Sequence, residues 1–276
     1  MDESRMVCEV ITPMFMSGAD VKNTELRTSE FKGMMRFWWR AIKTEQDIKK
    51  LREEEAKLFG GTNKGEGKSK VWMRIIPRKI TCNNENPLPH KDGRFTLRAI
   101  IPPSEFELIL TSQERSKKEF YENLFKISAI LGGYGKRSRR GFGSIKVIEQ
   151  KEQNIDLEFI NNLLNRIEKN GYKIVNNKII NNKKGGKYPW IKEIAIGGNY
   201  EKYESLLKKI GNATHKYCDP SLGSGKPRMA SPVYVSIIKE NDGYKPIVTT
   251  LEGCFPSGYP QGNSNKQKFF IDEVIS

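Results

Sequence analysis

Histidine is nearly absent. Two residues, His90 and His215, stand in a chain of 276. With so few, and with no His, Asp and Glu grouped at metal-ligand spacing, the sequence offers no metal centre. The four cysteines, Cys8, Cys82, Cys218 and Cys254, lie far apart. No Cys-x-x-Cys pair exists, which argues against a zinc ribbon, and free thiols in a reducing cytoplasm are expected. No run of apolar residues is long enough to span a bilayer, so no membrane partner is expected. Met1-Asp2-Glu3-Ser4 is acidic and has no apolar h-region behind it, so no secretory signal is expected. Acid is the scarcer charge: 33 Asp and Glu against 48 Lys and Arg leave a formal net charge of +15. Both halves of the chain share the excess. Such a balance points to a polyanion, nucleic acid before an anionic membrane surface. The alternative is a basic background without a charged ligand.

What is present is the composition of a folded protein, 37% hydrophobic and 10% aromatic, on a chain long enough for two domains. Residues 6–11 read as a strand closed by Pro13. Thr28 or Ser29 offers an N-cap for a helix starting near Glu30, and Phe31, Met34, Met35, Trp38 and Ile42 share one helical face. Helical residues continue over 49–58 and end at Gly60-Gly61. Val71, Met73 and Ile75 alternate as in a strand. Residues 94–101 and 105–111 read as two strands separated by Pro102-Pro103. Phe120, Leu124, Ile127 and Leu131 space a further helix, and a glycine-rich loop over 132–143 leads to a strand at 144–148. The second half gives a helix over 156–169, a loop or insertion over 170–187, a strand over 190–196 and a helix carrying Tyr203, Leu206, Leu207 and Ile210. A loop over 219–228, strands over 231–238 and 245–251, and a short closing helix complete it. Each half follows the split βαβ order. The expected class is α+β, two tandem ferredoxin-like (βαββαβ) domains over 1–150 and 151–276.

The sharpest motif is Gly133-Tyr134-Gly135-Lys136-Arg137-Ser138-Arg139-Arg140-Gly141-Phe142-Gly143. Two Gly-aromatic-Gly triplets bracket five residues, four of them basic, and no acid occurs between Gly132 and Ile145. Glycines let backbone N–H groups approach a phosphate, and the side chains add charge. The alternative is a tight turn whose arginines face water. Residues 140–145 also resemble an RRM RNP1 strand, but Ser144 stands where an aromatic should stack a base. On the first helix Lys32, Arg36 and Arg40 form one stripe, set against the reading of a solvated helix face. Trp38 and Trp39 are adjacent and are not expected to enter the same core, so Trp39, like Tyr134, is a candidate for stacking on a base. Lys226 and Arg228 in the loop from Ser221 could hold phosphate or simply decorate a surface connection. Gly61–Ser69 fails as a P-loop because Thr62 stands where glycine is needed and a strand follows, so no ATPase and no cofactor is expected. His90 and His215 are the only histidine candidates for acid–base chemistry, and no acid is placed by sequence to orient either.

The glycine-triplet loop resembles that of the RAMP superfamily of CRISPR-associated proteins. Further stretches are similar to one family within it, the first subunits of the Cmr (type III-B) effector complexes. They are Ile11-Thr12-Pro13-Met14-Phe15, Glu25-Leu26-Arg27, Lys32 through Phe37-Trp38-Trp39-Arg40, Leu58-Phe59-Gly60-Gly61 before Lys68-Ser69-Lys70-Val71, Leu131 through Ser144, and Arg228-Met229-Ala230-Ser231-Pro232-Val233. The resemblance runs in order from residue 8 to about 238 and leaves 150–188 unmatched. It implies tandem ferredoxin-like folds and a place in a multi-subunit ribonucleoprotein, toward the end holding the 3′ part of the guide. Its partners would be guide RNA, target RNA and other Cmr RAMP subunits, with target cleavage carried out by another subunit. The RNA-contacting residues it implies are Lys32, Arg36, Arg40, Lys68, Lys70 and the loop basics Lys136, Arg137, Arg139 and Arg140. The expected function is therefore a non-catalytic RNA-binding subunit. A guide-processing, metal-independent endoribonuclease using His90 or His215, and a protein scaffold without RNA contact, are the rivals.

Overall fold

The computed structural model describes residues 2–20, 22–91, 93, 95–149, 154–182, 187–240, 243–253, 259–260 and 262–276. Alternation of apolar and polar residues sets the first sheet. Met6, Cys8 and Val10 of β1 (Asp2–Val10) point to the core, and so do Phe106, Leu108 and Leu110 of β3 (Leu97–Ser112). With β2 (Val71–Glu85) and β4 (Ile145–Ile148), the order is β2-β3-β1-β4, antiparallel throughout. Onto the core face pack α1 (Thr28–Ile42) and α3 (Lys118–Leu131). Between α1 and β2 lies α2 (Ile48–Phe59), capped by the Asp47 side chain accepting from Lys49 N at 2.8 Å and stopped at Gly60, φ 76°.

Thr28 and Ser29 both sit inside α1. The cap position falls to Arg27, whose carbonyl accepts from Glu30 N at 3.1 Å and closes the first turn without a side-chain cap. Pro102-Pro103 does not divide two strands. Both prolines lie within the single strand β3, and residues 97–101 of the expected strand over 94–101 belong to it; Phe95 and Thr96 precede it, and Arg94 lies outside the described residues. A proline lacks a donor for the ladder, and β2 answers with register shifts between Pro77 and Thr81, where Thr81 N donates to Ser104 Oγ at 2.9 Å.

The second half builds a sheet of order β10-β11-β7-β6-β5. Its strands are β5 (Tyr172–Val175), β6 (Lys178–Asn181), β7 (Trp190–Ile196), β10 (Val233–Glu240) and β11 (Gly243–Glu252). Around it are α4 (Leu157–Ile167), α5 (Tyr203–Lys216) and α6 (Ser264–Ile275), and a small hairpin of β8 (Ser224–Gly225) and β9 (Arg228–Met229). The stretch over 170–187, expected as a loop or insertion, contains the β5–β6 hairpin. Its two-residue turn is Asn176-Asn177, φ 49° and 57°, the left-handed pair that a right-twisted hairpin wants.

Two apolar clusters hold the molecule together, and each draws on both halves. In one, Tyr234, Ile160 and Leu164 join Trp38 and Leu124. In the other, Ile11, Phe15 and Phe142 join Leu207, Val235 and Phe270. Polar links cross as well: Gly141 N donates to Val235 O at 2.8 Å and Ile237 N to Ser144 Oγ at 3.0 Å. Cys8, Cys82 and Cys218 are free thiols, while Cys254 and residues 150–153 at the expected domain boundary lie outside the described residues. Among the described residues, no helix is long and apolar enough to cross a membrane.

Candidate nucleic-acid interface

The glycine loop is folded by its own backbone. A Cβ on Gly143 would lie 2.0 Å from Tyr134 O, and one on Gly135 2.5 Å from Phe15 O, so both positions need glycine for close approach as well as for their φ of 68° and 84°. Five of the eleven amides over 133–143 are committed to backbone acceptors. Tyr134 N donates to Gly143 O, Lys136 N to Phe15 O, Arg140 N to Arg137 O, Gly141 N to Val235 O and Gly143 N to Pro13 O, all within 2.8–3.0 Å. The amides of Gly141 and Gly143 thus fold the loop and are not free donors.

Its side chains divide sharply. Tyr134 is fully buried and stacks on Phe31 with ring centroids 4.3 Å apart, so it offers no face to a base. Burial pushes its hydroxyl pKa well up, with Ser128 Oγ 3.3 Å away. Arg140 is also buried. It donates to Val233 O at 2.9 Å, Leu222 O at 3.1 Å and Ser231 Oγ at 3.1 Å, and lies over the Phe270 ring. Burial, Arg137 and Arg139 push its pKa down to about 9, which leaves it a cation at neutral pH. Arg139 donates to Ser231 O and covers Tyr234 at 4.3 Å. These two arginines brace the loop that carries Lys226 and Arg228, and Arg140 has no surface left for a phosphate. Lys136 is exposed, and Arg137, half-buried with φ 65°, makes no side-chain hydrogen bond or ion pair among the described residues.

The stripe on α1 is likewise drawn inward. Arg36 Nε donates to Glu55 Oε1 at 2.6 Å, and Arg40 reaches the same oxygen while its Nε donates to Tyr188 Oη at 2.7 Å. Lys32 Nζ donates to Ser69 Oγ at 2.6 Å and Val71 O at 3.3 Å, which pins the loop edge; burial and Arg36 lower its pKa. Trp38 and Trp39 both enter one core, at 0% and 2% exposure. They can do so because α1 is packed by α2, α3, α4 and β7. Trp39 has no ring face open for stacking.

Instead the structure assembles a cleft of ≈ 890 Å³ between α2, the loop over 60–70, α3 and α4. Trp39 lines it, together with Lys43, Lys57, Lys68, Lys70, Lys117 and Arg166. Lys43 is paired with Glu168 at 2.6 Å and Arg166 with Glu119 at 3.0 Å. Among the described residues no acid lies within ion-pair distance of Lys57, Lys68, Lys70 or Lys117, although Glu54 and Glu114 stand on the rim. Of these four, Lys68 and Lys70 are expected from the sequence. Lys57 and Lys117 are not, because only the packing of α3 beside the loop brings them together. Lys226 and Arg228 are exposed on the β8–β9 hairpin. His90 and His215, solitary in sequence, meet with ring centroids 5.3 Å apart and planes 18° from parallel. Among the described residues no group of three or more His, Cys, Asp or Glu could hold a metal ion.

Comparison with known proteins adds kinship to this geometry. Residues 7–146 match the RAMP superfamily. The "CRISPR system Cmr subunit Cmr1-2" of Pyrococcus furiosus is 29% identical over 174 residues, covering 50% of this chain and 91% of the relative. Among solved structures, the apo form of Cmr1 from Pyrococcus furiosus superposes with a TM-score of 0.66 at 18% identity, covering 99% of this chain and 97% of that one. A chain of the type III-B Cmr-beta complex bound to cognate target RNA superposes with a TM-score of 0.60 at 12% identity, covering 98% and 99%.

Proposed function

Because the chain belongs to the RAMP superfamily, we propose that it is a non-catalytic, RNA-binding subunit of a type III-B CRISPR effector complex. It would hold guide RNA, target RNA or both beside other Cmr RAMP subunits. The observation that carries this reading is the basic cleft, where no acid among the described residues lies within ion-pair distance of Lys57, Lys68, Lys70 or Lys117. Four ammonium groups on one concave wall repel one another, and a polyphosphate backbone relieves that repulsion while releasing its own counterions. Lys136 and Arg137 on the glycine loop, and Lys226 and Arg228 on the β8–β9 hairpin, would extend the basic track. Lysines grip a backbone whatever its sequence, so sequence choice falls to base pairing by the guide. Similarity to the Cmr1 relatives supports the place in the complex.

The same reading covers the architecture. The first sheet has the order of a ferredoxin-like unit, β4-β1-β3-β2. In the second half β7, α5, β10, β11 and α6 repeat the βαββα order, with β6 in the place beside β7 that a fourth strand would take. We read these as tandem ferredoxin-like units over 1–150 and 151–276.

The test is a titration of single-stranded RNA with the full chain, followed by fluorescence anisotropy, between about 50 and 200 mM salt. Replacing Lys57, Lys68, Lys70 and Lys117 by Ala should weaken binding and flatten the plot of log K against log salt by about 0.7 for each phosphate no longer neutralised. An unchanged slope in a variant with the parent's circular dichroism would remove the cleft from the RNA path.

A further inference from the structure

Three elements from distant parts of the chain converge beside the glycine loop. The end of the β2–β3 hairpin brings His90, α5 brings His215, and the loop itself brings Arg137. Gly211 and His215 are one turn apart on α5 and so share a face. Gly211 is where the hairpin lands: a Cβ there would lie 3.1 Å from Pro89 Cγ and 3.3 Å from His90 Nδ1. This contact closes off Nδ1, which is buried without a hydrogen-bond partner, and leaves Nε2 as the ring nitrogen open to a ligand. Arg137 Nε is also buried without a partner. An unmade hydrogen bond at a buried guanidinium donor is costly and calls for an explanation.

The charges there are of one kind. Facing His90 are His215 from α5, Lys91 from its own loop and Arg137 from the glycine loop. Lys216, next to His215, is held at 2.6 Å by Glu273 of α6, which also accepts from Tyr217 at 2.9 Å. No acid among the described residues pairs with His90, His215, Lys91 or Arg137. We infer that His90, His215 and Arg137 form a subsite for one phosphate of a bound RNA strand, and that the histidine pair takes up a proton when the phosphate arrives. The inference rests on the RNA-binding reading above and adds a place and a proton to it.

Electrostatics supplies the coupling. Two parallel imidazoles 5.3 Å apart cannot both become cations cheaply beside an arginine and a lysine. Burial and these neighbours lower the His90 pKa in the free protein. A phosphate anion reverses the balance, since it favours the charged ring. Protonation and phosphate binding must then strengthen each other. The position fits an RNA strand because Lys136, exposed one residue from Arg137, continues the positive surface. Neither ring accepts or donates a hydrogen bond to a carboxylate among the described residues, so the pair lacks the group that would orient it for proton transfer and is suited to holding charge.

The experiment measures the affinity of the full chain for single-stranded RNA at pH 8, 7 and 6 and constant ionic strength. Binding by the parent should tighten on the order of tenfold between pH 8 and 6, within the limit of about tenfold per pH unit that uptake of one proton sets. In the double variant His90→Gln, His215→Gln the pH dependence should vanish, and Arg137→Ala should weaken binding at every pH. Parallel profiles for parent and double variant would overturn the subsite while leaving the RNA-binding reading intact. Metal-free cleavage of the RNA that disappears in His215→Gln would overturn it in favour of catalysis. If no RNA binds at all, the broader reading fails, and proton NMR decides the subsite alone. With only two histidines, each ring signal is assigned from one single variant. Inorganic phosphate should raise both ring midpoints relative to chloride of equal ionic strength, and unmoved midpoints would refute the site.

Discussion

Glu55 decides what the two most conspicuous arginines of α1 do. Its carboxylate is 7% exposed and binds Arg36 and Arg40 at once, whereas the arginines are 39% and 23% exposed. Removing the acid strands two cations at a partly buried wall, and that penalty is larger than the worth of any surface pair. We expect Glu55→Gln to cost about 1–3 kcal/mol, discounted from the fully buried case because water still reaches both arginines. Urea unfolding monitored by tryptophan fluorescence measures it, and a change below the precision of that experiment would make the pair a surface contact only. The sequence held a sign of this. Leu51, Glu55 and Phe59 follow one another at one-turn spacing on α2, so the acid stands on the apolar stripe. Tyr134 and Arg140 were less legible. A glycine-flanked tyrosine and an arginine among arginines look like surface groups, and only the second half of the chain supplies the carbonyls that bury Arg140. Lys68, Lys136, Lys226 and Arg228 are exposed, as their setting in glycine-rich loops suggested, and Lys70 is half-buried.

At the scale of elements, periodicity was a good guide wherever one face of an element was buried. The strand over 190–196 and the helices carrying Phe31 and Phe120 appear where the spacing put them. Punctuation misled in two places. A proline pair normally ends a strand, but β3 carries Pro102 and Pro103 because β2 shifts register opposite them. Asparagine and lysine suggest a loop, yet Tyr172, Ile174, Ile179 and Ile180 flank Asn176-Asn177 in a paired hairpin. That turn yields a prediction. Asn is tolerated in the left-handed region, while a residue with an ordinary Cβ pays about 1 kcal/mol there. Asn177→Ala should therefore destabilise the fold by about that much and Asn177→Gly should not. Equal stabilities of the two variants in thermal unfolding would mean that the turn is not held in this conformation.

At the scale of the molecule, the two halves are continuous in the core even though each builds its own sheet. Phe142 leaves the glycine loop to join Leu207, Val235 and Phe270, and Tyr234 reaches back to pack on Trp38 with centroids 5.0 Å apart. Arg140 and Arg139 fasten the same seam with hydrogen bonds to Val233, Leu222 and Ser231. Cutting the chain near residue 150 would expose Ile11, Phe15, Ala99 and Phe142 on one piece and leave their partners bare on the other. Burial of side chains of this size is worth about 1.5–3 kcal/mol each, a large share of what holds a domain folded. The halves should therefore stabilise each other enough to melt together. We expect the intact chain to unfold in urea as one transition, coincident by far-ultraviolet circular dichroism and tryptophan fluorescence. The fragment over 1–150 should show weak or no cooperative unfolding. Two separated transitions, or a fragment as stable as the parent, would mean that the seam carries little energy. The candidate RNA sites on either side of it could then move independently.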